Sequence, residues 1–183
     1  MLESGLIEHC APTLAGLKSA NLFNYYFDLK RDVFKELREV NQKLNERGVY
    51  IEPLLWKDTS VLIYVYRKTH LQQELKQTEV IEFLSGYGYT GCEIRQCINR
   101  LKERLKSSER FPHEIGVFLG YPLGDVIGFI QNEGRNCKCC GMWKVYDNEN
   151  EAQKLFFKLQ KCTNVYVQLF AQGRSIVQMT ISA

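Results

Sequence analysis

The chain has 183 residues, 45% of them hydrophobic and 25% charged, with a formal net charge of +3. That length suits one domain with a full core, residues 1–183, and the composition excludes a disordered chain. The small, dispersed positive charge argues against a nucleic-acid partner, which requires a concentrated basic patch.

Met1–Gly5 has no basic region leading into a long apolar run, so no export signal is expected. No apolar stretch approaches the ~18 residues a membrane span needs, so no membrane partner is expected. The seven cysteines are an odd number, which favours reduced thiols over a disulfide framework and points to the cytoplasm.

In chain order, Ala20–Phe27 is rich in aromatics and predicts a strand. Val33, Phe34, Leu37, Val40 and Leu44 then recur at helical spacing, and Gly48 closes that helix. Val49–Trp56 and Ser60–Tyr66 are two strands linked by Lys57-Asp58-Thr59. The second is apolar on both faces, the mark of a central strand covered on each side.

The middle third is helical. Ile94, Cys97, Ile98, Leu101 and Leu105 form one apolar stripe, preceded by a glycine-punctuated turn over residues 84–91. Ser107–Arg110 is the most linker-like stretch. Alternation resumes with a predicted strand at His113–Gly120 and a helix opened by Pro122, with Val126, Ile127, Phe129 and Ile130 on its buried side. A strand at Gly141–Tyr146 and a long helix from near Asn148 follow. The pattern predicts an α/β fold: a layered mixed β-sheet flanked by helices, with a helical insertion in the middle third.

Several strings are specific: His9-Cys10-Ala11-Pro12-Thr13-Leu14-Ala15-Gly16, Pro112-His113-Glu114-Ile115-Gly116 and Gly120-Tyr121-Pro122. Others are Asp125-Val126, Gly128-Phe129-Ile130, Trp143-Lys144-Val145-Tyr146, Cys162-Thr163 and Gly173-Arg174-Ser175. Through them the chain resembles, nearly end to end, an uncharacterised bacterial family of unknown function. The resemblance implies membership and carries no activity.

Thiol and imidazole chemistry is the first candidate. If Pro12 and Thr13 begin a helix, Cys10 lies at its start, where the helix dipole favours a thiolate. His113 is the candidate general base, or the adjacent His9, in a cysteine hydrolase or acyltransferase. The alternative is that Cys10 is a small buried hydrophobe. Strand alternation puts Glu114 on the face opposite His113, so Glu114 cannot orient it. The run is also similar to the histidine strand of peptidoglycan-cleaving, papain-like peptidases. It departs from them by one extra residue before the first glycine and by a longer cysteine-to-histidine interval.

Ligand binding without catalysis is the rival, in redox or metal homeostasis, with an unidentified small molecule or protein as partner and no cofactor named by the sequence. The strand-to-helix junction at Gly120 and Tyr121 offers free N–H groups to an anion, with Arg135 and Lys138 nearby and His9 and Glu114 as further contacts. Cys137, Cys139 and Cys140 lack the second knuckle a structural zinc requires, so no metal site is assigned. The tyrosines, Trp56 and Trp143 read as core packing or as stacking surfaces for a flat ligand.

Overall fold

The computed structural model describes residues 1–107 and 110–182. Its centre is a three-stranded antiparallel sheet of β1 (Ala20–Tyr26), β2 (Val49–Trp56) and β3 (Ser60–Arg67), in the order β1-β3-β2. As the apolar run foretells, β3 is central. Val61, Ile63 and Val65 point to one face, and Tyr64 and Tyr66 to the other.

The first face is covered by α1 (Leu2–Leu14), α2 (Lys30–Leu44) and the short α9 (Ile176–Met179). The second is covered by α3 (Lys68–Leu75), α4 (Thr78–Ser85), α5 (Ile94–Ser107), α6 (Ile115–Phe118) and Val126 of α7 (Leu123–Gln131). A two-stranded hairpin, β4 (Cys139–Cys140) with β5 (Lys144–Val145), and the long α8 (Glu149–Ala171) complete the chain. The fold is therefore a mixed α/β arrangement of two small sheets flanked by helices, with a helical region in the middle.

A bulge in β2 shifts the register between Pro53 and Leu55. Pro53 is tolerated because β2 is an edge strand. The extra residue turns Trp56 onto the first face, where its ring meets Phe27 and Phe34 at centroid distances of 5.8 and 4.6 Å.

Three expectations are corrected. Residues 2–14 form a helix, so Cys10 lies in its closing turns and not ahead of a helix start. Gly16, at φ +72°, is the stop signal: Leu17 N–H reaches Pro12 O at 2.9 Å and Gly16 N–H reaches Thr13 O at 3.2 Å. This pair of bonds is the Schellman closure, which favours glycine at the left-handed position. The string Pro12–Gly16 thus ends a helix.

Residues 113–120 form turns around α6 and no strand. Ile115, Gly116, Val117 and Phe118 are all buried, and a short apolar run buried on every side has no periodicity to separate helix from strand. Gly116 permits the packing, since a Cβ there would stand 2.7 Å from Val126 Cγ2. The strand expected at 141–146 shrinks to β5, because Gly141–Trp143 makes the turn of the hairpin. Of the expected linker, Ser108 and Glu109 lie outside the described residues, and Ser107 ends α5.

The two ends of the chain meet on Arg67. Only 2% exposed, it donates to Thr13 O and Leu14 O at 2.6 Å each and to Ile181 O at 2.7 Å. Ile181 N–H in turn reaches Leu14 O at 3.0 Å. A guanidinium at the carboxyl end of α1 satisfies carbonyls the helix leaves open and opposes its negative pole.

Candidate functional site

Cys10 is fully buried among Leu6, Ile7, Leu14 and other residues on the α1 side of the sheet. Burial pushes its thiol well above the usual range, and the carboxyl end of α1 offers no stabilisation to a thiolate. His113 is exposed on the opposite side of the sheet, beside α6. The structure does not bring the two together, and the likeness to a peptidase histidine strand ends with the loss of that strand. Cys10 is the buried hydrophobe of the two alternatives. In native protein, alkylation of Cys10 by iodoacetamide is expected to be at least about a hundredfold slower than that of exposed Cys140, and to catch up on unfolding. Equal native rates, read by peptide mapping, would overturn this assignment.

The remaining candidates have local partners. His9 is exposed and stacks on Phe23, at 5.0 Å between centroids. Glu114, 1% exposed, pairs with Arg104 and accepts from the Tyr89 hydroxyl at 3.2 Å, so it braces α5 against α6. That pairing holds the Arg104 guanidinium above its usual pKa. Gly120 (φ +70°) turns tightly past Ser19, where a Cβ would meet Ser19 Oγ at 2.9 Å. Arg135 and Lys138 are exposed on the approach to the hairpin. Arg135 O accepts from the Tyr146 hydroxyl at 2.9 Å, and Lys138 Nζ donates to Asp147 O. Neither lines the groove described next. The cation beside the junction after Gly120 is instead Lys18, whose Nζ stands 5.0 Å from the centroid of the Tyr121 ring.

What the chain does assemble is a groove of about 360 Å3 between α6, α7 and the β4–β5 hairpin. Ile115, Gly116, Leu119 and Val126, all buried, form its base. His113 packs against Phe129 at 4.8 Å and lies 6.2 Å from Phe111. Tyr121 stacks on Trp143 at 4.8 Å and 27°. Lys144 Nζ, bound to Gly134 O at 2.7 Å, stands 6.0 Å from the centroid of Phe129. Of the sequence candidates, His113, Tyr121, Cys140 and Trp143 line this groove.

Asp125 organises it. Only 3% exposed, its Oδ2 accepts from Trp143 Nε1 at 2.7 Å, and its Oδ1 accepts from the N–H of Tyr146 at 2.7 Å and of Asp147 at 3.0 Å. One carboxylate thereby fixes the indole and clamps the hairpin to α7. Phe111, Asp125, Phe129 and Lys144 were not identified as groove residues from the sequence. The available signal was Trp143, since a buried indole N–H needs an acceptor.

Among the described residues no three His, Cys, Asp or Glu side chains converge to hold a metal ion, and no helix is long and apolar enough to cross a membrane. The seven cysteines are free thiols.

Fold and groove define a mixed α/β protein with an aromatic-lined cleft. The chain belongs to the family described as "Protein of unknown function (DUF3793)", whose model matches residues 6–180. No curated protein and no solved structure matches the chain.

Proposed function

We propose that the protein binds a small, planar, aromatic ligand carrying a negative group in the groove between α6, α7 and the hairpin. The observation that carries this reading is the set of rings on one cavity: Phe111, His113, Tyr121, Phe129 and Trp143. Ligand sites are commonly concave, largely apolar and furnished with a few fixed polar groups, at volumes of about 300–1,000 Å3. Lys144 and His113 supply positive or donating groups at the rim, while the charge of Asp125 is spent on holding Trp143. Preorganisation of that indole reduces the ordering cost of stacking. Catalysis at Cys10 forms no part of this reading.

The test uses 8-anilinonaphthalene-1-sulfonate, an aromatic anion with a planar naphthalene ring, titrated against the folded protein. Saturable binding at one site is expected, and Phe129→Ala weakens it by about threefold to tenfold, the worth of one aromatic pair. Non-saturable binding, or a Kd unchanged in folded Phe129→Ala, would refute the reading.

A further inference from the structure

Outside the groove, the most unusual side chain is Lys18, in the loop between α1 and β1. It is 8% exposed, and its ammonium group has no carboxylate within salt-bridge distance among the described residues. Its Nζ donates to Ala20 O and stands 5.0 Å from the centroid of Tyr121. The buried thiol of Cys10, the phenol of Tyr121 and, on the adjoining cavity, His70 are titratable groups that face it. Uncharged partners leave the desolvation of a buried cation largely uncompensated. Burial accordingly lowers the Lys18 amine from 10.5 to about 8. Near pH 7 about a tenth of it is then the neutral, nucleophilic form.

A second cavity, of about 140 Å3, reaches this side chain and is lined also by Ser19, His70, Gly120, Trp143 and Leu155. Its size admits a molecule of a few heavy atoms. We infer that Lys18 is a site of imine formation with a small aldehyde admitted by this cavity. The Nζ lone pair attacks the carbonyl carbon and forms the C–N bond, while the carbonyl π pair moves to oxygen, which takes up one proton as the nitrogen gives up the first of its two. The resulting carbinolamine loses its hydroxyl group as water and the nitrogen releases its remaining proton, leaving a C=N bond. Amine and aldehyde give imine and water, with no change of oxidation state. His70, on the same cavity, is the proton donor and acceptor available to both stages.

The test treats the full-length protein with propionaldehyde near pH 7, reduces with borohydride and maps propylated lysines by mass spectrometry. Lys18 is expected to be labelled on the order of tenfold more than the exposed Lys57 and Lys76, a preference that disappears in urea. Labelling of Lys18 at or below the level of Lys57 overturns the inference, and so does a preference that survives unfolding. Because the readout compares lysines within one native protein, no substitution that disturbs folding is needed.

Discussion

Arg67→Met lowers the stability to urea unfolding by about 4 kcal/mol, because three carbonyls lose a charged donor at once. The methionine keeps much of the aliphatic stem, so the loss reports the fork of hydrogen bonds to Thr13, Leu14 and Ile181. Bonds from charged groups contribute about 1.5–3 kcal/mol each, and water entering the gap offsets part of their sum. Against a typical total of about 5–15 kcal/mol, the variant stands near the limit of folding at physiological temperature. Arg67→Lys recovers only part, since an ammonium lacks the planar fork that reaches two helix carbonyls and a third strand of chain. A midpoint for Arg67→Met within experimental error of the wild type would show that these bonds contribute nothing net.

Glu114→Ala is the second large effect, at about 3 kcal/mol, the usual range for removing one partner of a buried ion pair. Glu114 is buried, Arg104 is 22% exposed in its side chain, and Tyr89 donates to the same carboxylate. The partial exposure of Arg104 lets water take over some of its solvation, which keeps the estimate toward the lower end. Arg104→Met in the same chain should recover part of the loss, because the unpaired cation is then gone. Additive losses in the double variant would mean the two side chains act independently. Tyr89→Phe is expected to cost about 1 kcal/mol, one neutral donor to a charged acceptor. If Glu114 instead served a ligand, its removal would change binding of the anilinonaphthalene probe while leaving the urea midpoint unchanged.

The legible parts of the fold were those with a period. Val33, Leu37, Val40 and Leu44 mark α2, Ile94 to Leu105 mark α5, and the doubly apolar run of β3 announced its central place between two helical layers. Asn148 announced α8, and its side chain accepts from the N–H of Glu151 at 3.3 Å as a helix cap should. What failed was direction and short apolar runs. Pro12 suggested a beginning, yet it lies inside α1, which forgoes the bond its missing N–H would give to Glu8 O and runs on two residues further before Gly16 closes it. That reversal removed the premise of a reactive Cys10. His113–Gly120 failed because its six buried residues, Glu114 to Leu119, run consecutively and carry no alternation. The groove was legible only in part: His113 and Tyr121 stood out locally. Asp125, Trp143 and Tyr146 are joined by hydrogen bonds across about twenty residues of sequence, a relation no local spacing encodes.

The meeting of both chain ends on Arg67 has a consequence for biosynthesis. Leu14, near the start, takes its bond from Ile181, and the guanidinium that seals the first helix also requires that late carbonyl. During translation the opening helix emerges first, and its apolar side, with Leu2, Leu6 and Ile7, waits for β3 and then for the final segment. The nascent chain therefore carries an unfinished greasy surface until the segment from Ile176 to Ile181 has been made, and self-association can compete with folding in that interval.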